Sequence, residues 1–302
     1  MAPLTKEQFH AIITKAAKHR TSAYDYCASL SVFWEHNDVS AAADVHNFQQ
    51  MLSTLNLPAA EELTIQSDDH TPGWTLQART RAILKRAKDA PGRALVLLHY
   101  TGHAYPLNDI LWAQENNQRN SSRMSLDRYF LSHSDGEETL FTDADAVDVV
   151  YVLDCCYAHK ALKALSTDSR LVEVIAATDA NMPGALGYPR DTLTGKLRGE
   201  IARRICDGHK YVEVADLIQT LRANSPVVKP SHGLRKGIGS VCLPLTGLAQ
   251  TDPKTLSPSL RALFSVHVTD DMSPKQIEEL VIWIGSLPPA FQISLDGVYQ
   301  TQ

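Results

Sequence analysis

Apolar positions along the chain fall into short runs separated by amphipathic stretches. Residues 28–34 (ASLSVFW), 63–66, 93–100 (RALVLLHY), 147–154 (VDVVYVLD), 171–176 (LVEVIA) and 238–245 read as strands. Two of them, 93–100 and 147–154, are so continuously apolar that both faces are expected to be buried. Residues 41–55 and 74–87 carry apolar side chains at helical spacing, the second with Leu76, Thr80, Ile83 and Leu84 on one side. Strands alternating with helices predict βαβ units: an α/β fold with a mostly parallel sheet and helices on both faces. That domain is expected over residues 28–246.

The flanks follow other patterns. Residues 5–17 place Phe9, Ile12, Ile13 and Ala16 on one helical face behind Thr5 as a cap, giving an N-terminal helix within residues 1–27. A Thr-, Pro- and Ser-rich linker is expected over 247–260. Beyond it, strand-like 262–268 and 290–299 flank a helix at 274–287 that opens on Pro274 and is followed by Pro288, so residues 261–302 read as a small βαβ extension. Residues 113–123 (AQENNQRNSSR) are the most polar stretch and are expected to form a mobile loop. The run RGEIARR at 198–204 reads as a solvated helix face, and Trp74, Trp112 and Trp283 as packing residues in helical patterns.

Composition narrows the function classes. The chain has 302 residues, 44% hydrophobic and 21% charged, which is the balance of a globular protein. Lys and Arg number 29 against 34 Asp and Glu, for a net charge of −5. That balance argues against a nucleic-acid backbone binder, which needs a basic face. No apolar run reaches membrane-spanning length, and the N-terminus lacks the apolar stretch of a secretory signal. Five cysteines, an odd number, do not look like a disulfide framework. The expectation is a reduced, cytoplasmic protein with no membrane or nucleic-acid partner.

Two of the most apolar strands end in reactive residues. One runs into His99-Tyr100-Thr101-Gly102-His103, the other into Asp154-Cys155-Cys156-Tyr157-Ala158. Ligands of open α/β sheets bind outside the carboxyl ends of the strands. A thiol there, before a helix, gains thiolate character from the helix N-terminus. A histidine on a neighbouring strand can take and return its proton, and Gly102 permits a sharp turn beside it. Cys155, of opposite pleat to Cys156, reads as a core thiol, and His99 as a core histidine. His159 reads as a solvated surface residue, and Cys27, Cys206 and Cys242 as core or incidental. A zinc site from His99, His103, Cys155 and Cys156 has spacing that suits neither a zinc finger nor a helical His pair.

At these residues the chain resembles the caspase/metacaspase clan of cysteine peptidases, the metacaspase or fungal caspase-like branch more than animal caspases. H-Y-T-G-H at 99–103 resembles the Y-S-G-H-G motif, and D-C-C-Y-A at 154–158 resembles D-[SC]-C-H-S. Cys156 follows His103 by 53 positions (156 − 103), close to the spacing of about 50 known for caspases. The resemblance spans about residues 28–245, including D-V-x-x-F-x-x-M-L at 44–52.

The resemblance implies a caspase-like three-layer sandwich acting as a cysteine endopeptidase. His103 would be the base, Cys156 the nucleophile, and the backbone N–H groups of Ala104 and Cys156 the oxyanion hole. Asp44, Thr101 and Asp154 would line an acidic pocket, so cleavage is expected after Arg or Lys rather than after Asp. Protein or peptide substrates, no cofactor, no metal, and a part in regulated proteolysis or programmed cell death follow by the same analogy. Tyr157-Ala158 departs from the usual His-Ser. The acidic stretch Asp135, Glu137, Glu138, Asp143, Asp145, Asp148 does not match the spacing of a metacaspase calcium cluster. Calcium activation is therefore possible but has no recognisable site. Two alternatives stay open: a catalytically inactive caspase-like scaffold, and an amidase that uses Cys156 on small substrates.

Overall fold

The computed structural model describes residues 24–39, 41–118, 121–132, 147–163, 171–182, 184, 191–209, 211–237, 240–245 and 273–286. The expected N-terminal helix, the linker, the two strands of the C-terminal extension and all of the acidic stretch except Asp148 lie outside them. The chain divides into two units, residues 24–249 and residues 1–23 with 250–302.

In the larger unit the apolar runs form the strands that their patterns predict. Tyr26–Trp34 (β1), Glu61–Ile65 (β2), Ala94–Leu107 (β3), Val147–Cys155 (β6) and Val172–Ala176 (β7) build one sheet. Its order is β2-β1-β3-β6-β7-β9, parallel up to β7, with β9 (Ser231–Lys236) antiparallel at the edge. All nine residues of β6 and the first nine of β3 are buried, as their uninterrupted apolar character requires. Helices cover both faces. On one side, Leu76, Ile83 and Leu84 of α2 (Pro72–Asp89) pack on Val96, Leu98, Tyr100, Tyr151 and Leu153. On the other, Phe48 and Leu52 of α1 (Ala41–Thr54), Leu197 and Ile201 of α3 (Leu193–Cys206) and Leu217 of α4 (Val214–Asn224) cover Leu95, Leu97, Val150 and Val152. This is an α/β fold with a mixed, mostly parallel sheet between two helical layers.

Several expectations are corrected. The expected closing strand at 238–245 is only Cys242–Pro244 (β10), paired with Tyr211–Glu213 (β8) in a two-stranded sheet of its own. The sheet's sixth strand is instead β9, whose sequence SHGLRK carries charge where a core strand was sought. Its Arg235 is buried and donates from Nη1 to the Ala161 carbonyl at 2.9 Å, which offsets the desolvation. The expected mobile loop at 113–123 begins and ends in strand. Ile110–Gln114 (β4) folds back on β3 and pairs with Arg123–Ser125 (β5). Gln114 Nε2 donates to the Gln118 carbonyl and to Ser121 Oγ, both at 2.7 Å, stitching the connection.

The run RGEIARR is not a uniformly solvated face. Arg204 is buried, held by Glu200 at 3.0 Å and Asp216 at 2.6 Å. Trp74 and Trp283 are exposed, and Trp112 lies in β4 rather than in a helix.

In the smaller unit, α5 (Pro274–Ser286) starts on a capping box. Gln276 N donates to Ser273 Oγ at 3.3 Å, and Gln276 Oε1 accepts from Ser273 N at 2.8 Å. Among the described residues no helix is long and apolar enough to cross a membrane.

Candidate active site

The parallel register of β3 and β6 ends at Thr101 opposite Asp154 and Gly102 opposite Cys155. His103 and Cys156 are the next residues on adjoining strands, at the carboxyl edge of the sheet. Gly102 has φ +144°, and a Cβ there would meet Tyr100 Oη at 3.0 Å. That hydroxyl donates to the His103 carbonyl at 2.8 Å. Past the glycine, His103 stands opposite Gln114 and Ala104 opposite Ala113 in the β3–β4 hairpin, so the histidine's backbone is held on both sides. Ala104 itself is buried.

The two adjacent thiols have different environments. Cys155 is 1% exposed in the α2-side core. Burial, then the neighbouring charges of Cys156 and Asp154, push its thiol well above the ordinary cysteine value. Cys156 is partly exposed. The residue after it, Tyr157, adopts φ 58°, ψ 14°, the left-handed region that a bulky residue enters at a cost of about 1–3 kcal/mol. That turn aims the chain away from the sheet directly after the thiol. The helix expected there is a single four-residue 3₁₀ turn, Ala158–Ala161, so it offers little of a full helix dipole. Lys160 and Lys163 of this segment reach Asp109 at the tip of the β3–β4 hairpin, at 3.1 and 3.5 Å. The hairpin thus spans from the histidine strand to the turn after the cysteine.

His103 Nε2 is hydrogen-bonded to Asp38, in the connection after β1. Although desolvation raises the Asp38 carboxyl, its hydrogen bond to His103, the histidine's charge and backbone N–H groups at Asp38 and Asn117 hold it below its usual value.

Beside these residues lies a buried acidic pocket. Asp44 on α1 and Asp154 on β6 are each 5% exposed. Asp154 accepts from the backbone N–H of Leu193 (3.2 Å) and Thr194 (2.9 Å) in the first turn of α3, so it caps that helix. Asp44 accepts from Thr101 Oγ1 at 3.0 Å. Thr194 Oγ1 bridges the two, 2.9 Å from Asp154 Oδ2 and 3.3 Å from Asp44 Oδ1. Burial, then the charge of Asp44, pushes Asp154 up to about 7. Burial raises Asp44 as well, against donations from Thr192, Thr101 and Thr194. The three pocket residues expected from sequence, Asp44, Thr101 and Asp154, thus meet in one network.

One pleat below Thr101, His99 is fully buried, stacks on Phe48 at 4.5 Å and holds Ser31 Oγ at Nδ1 at 2.8 Å. Its Nε2 has no hydrogen-bond partner, and burial drives its pKa down to about 3. It is a neutral core residue, incompletely satisfied. His159 is not fully solvated either: its Nδ1 lies 3.3 Å from Thr178 Oγ1. Asp148, the described member of the acidic stretch, is fully buried against Arg93, Tyr24 Oη (2.8 Å) and Leu171 N (2.8 Å), which commits it to the core. Among the described residues no three His, Cys, Asp or Glu side chains cluster as a metal site requires.

Sequence reasoning missed Asp38, Thr192 and Thr194. Thr192 had a signal: a threonine ahead of Leu193, Leu197 and Ile201 is an N-cap, and its Oγ1 accepts from Gly195 N at 3.3 Å. Asp38 had only its place just past the end of β1, the strand beside β3. No protein-family model and no curated protein matches this chain.

Proposed function

We propose that the chain is a cysteine endopeptidase of caspase/metacaspase type, with a caspase-like sandwich, that cleaves protein substrates after Arg or Lys. The observation that carries this reading is the β3–β6 register, which sets His103 and Cys156 on adjoining strand ends beside two buried carboxylates. His103 takes the Cys156 thiol proton, and the thiolate attacks the peptide carbonyl. Backbone N–H groups of Ala104 and Cys156 stabilise the oxyanion, each donor contributing about 2.7–4 kcal/mol. The imidazolium then protonates the leaving amine, and water hydrolyses the thioester. Asp44 and Asp154 take the basic side chain that precedes the scissile bond. By the family analogy the activity serves regulated proteolysis or programmed cell death.

Matched fluorogenic peptides ending in Arg, Lys or Asp test this, with and without millimolar calcium. Arg and Lys peptides are expected to turn over at least a hundredfold faster than the Asp peptide. Faster cleavage after Asp would refute the pocket.

One observation favours a second reading, an inactive scaffold of the same fold. The carboxylates of the pocket are already engaged by internal donors, Thr101, Leu193 and Thr194. Reaction with a thiol-directed electrophilic peptide separates the two, because a scaffold has no use for an activated thiolate.

A further inference from the structure

The geometry points to Asp38 as the positioning residue of His103: its carboxylate fixes the imidazole in the Nε2–H tautomer and leaves Nδ1 as the proton acceptor for Cys156. This rests on the peptidase reading and adds a third member to its Cys-His pair. An ionised carboxylate accepts hydrogen bonds and donates none, so the proton between it and the ring belongs to Nε2. The bond of Asp38 to His103 Nε2 therefore decides the tautomer. The backbone N–H groups of Asp38 itself and of Asn117 favour the ionised carboxylate. Asn117 belongs to the β4–β5 connection, and β4 pairs with the His103 strand. The β4–β5 connection thus adds to the field that keeps the carboxylate ionised.

The proton accounting is closed. The Sγ–H bond of Cys156 breaks and its proton moves to Nδ1, while Nε2–H stays bonded to Asp38. When the scissile C–N bond breaks, the Nδ1 proton passes to the leaving nitrogen, which restores the neutral Nε2–H ring. Asp38 stays ionised throughout, stabilising the imidazolium that forms between the two transfers. Its side chain is 55% exposed, so solvent screens that charge, and the tautomer is the larger part of its contribution.

Asp38→Ala and Asp38→Asn are expected to lower kcat by about tenfold or more with KM within twofold, and Asp38→Glu to recover most of the loss. The second readout is ring ¹⁵N NMR of His103 in the Cys156→Ala chain, at a pH where the ring is neutral. There Asp38 gives the Nε2–H tautomer, and Asp38→Ala gives a mixture. If the wild-type chain turns peptide over while Asp38→Ala leaves kcat and tautomer unchanged, the assignment of Asp38 is wrong and the peptidase stands. If wild type shows no turnover that depends on Cys156, the peptidase reading falls and takes this role with it.

Discussion

Cys156→Ala is expected to lose turnover of an Arg-terminated peptide by at least about a thousandfold, whereas Cys155→Ala keeps it within about threefold. The two thiols are chain neighbours with the same chemistry, so only their surroundings can separate them. Cys155 lies in the α2-side core at 1% exposure, and its burial disfavours the thiolate that any nucleophile must form. Cys156 is the first residue past the end of β6 and is partly exposed, next to the strand that carries His103. Removing a nucleophile leaves only the residual acceleration from binding and oxyanion stabilisation, which sets the size of the loss. The costs in stability run the other way. Trimming a buried sulfur leaves a cavity worth about 1 kcal/mol, so Cys155→Ala lowers the urea midpoint while Cys156→Ala does not. Initial rates and urea melts on both variants check the pair. A Cys156→Ala chain that still cleaves, beside an inactive but folded Cys155→Ala, would reverse the assignment.

That contrast was legible in the sequence because strand alternation is a local property. So were β3, β6 and β7, apolar runs buried on both faces over most or all of their length, and β1, buried over most of its length; the edge strand β2 was legible too, although only its Ile65 is buried. Legibility stopped where a segment's fate depends on a distant partner. β9 carries Arg235 into the interior, where the Ala161 carbonyl, far along the chain, accepts from its guanidinium. Arg204 looked solvated because its second partner, Asp216, sits on the next helix. The strands of the β4–β5 hairpin are five and three residues long, with polar residues between them, so no period identifies them.

The candidate site divides in the same way. His103 and Cys156 announce themselves by residue type at the ends of apolar strands, and the neighbouring strands bring them to one edge. The pocket acids were named through a motif, but what satisfies them was not: Thr194 lies 150 residues from Asp44. Asp38 lies 65 residues from His103 in a short polar connection, with nothing in its own neighbourhood to distinguish it from a surface carboxylate.

The pocket should make the folded protein lose stability as pH rises from about 4 to about 7. Thr194 has one hydroxyl hydrogen and two carboxylates within reach, so it can donate to only one of them at a time. The arrangement that satisfies all three groups holds a further proton on the pair, donated by one carboxyl to Thr194 Oγ1. Burial and mutual repulsion favour that proton, with Asp154 raised to about 7 in the folded chain against about 3.9 when unfolded. Between those values the folded state binds more protons than the unfolded, so the stability of the folded state declines as pH climbs. The decline from pH 5 to pH 8 is on the order of 2–3 kcal/mol.

Buried His99 works in the opposite direction, since its folded pKa is depressed to about 3 and its neutral burial costs stability as pH falls below about 6.5. Lys196 on α3 adds an attraction that favours the ionised Asp154. The difference between wild type and Asp154→Asn removes the His99 contribution, which both chains share, whereas the Lys196 attraction exists only with an ionised Asp154 and so reduces the difference at high pH. Leu193 N and Thr194 N reach different oxygens of Asp154, so the asparagine oxygen keeps only one of these donors, while its amide stands in for the protonated acid and can donate to Thr194 Oγ1. Asp154→Asn should therefore be the more stable chain at pH 8, with the gap closing toward pH 5. It should also raise KM for Arg peptides about a hundredfold at pH 8, trading binding of the basic side chain for a relaxed pocket. Urea melts and initial rates at both pH values decide the matter. A variant that gains no stability at high pH, or that keeps its preference for Arg, would show that the two carboxylates do not hold a proton in common or do not receive the substrate's charge.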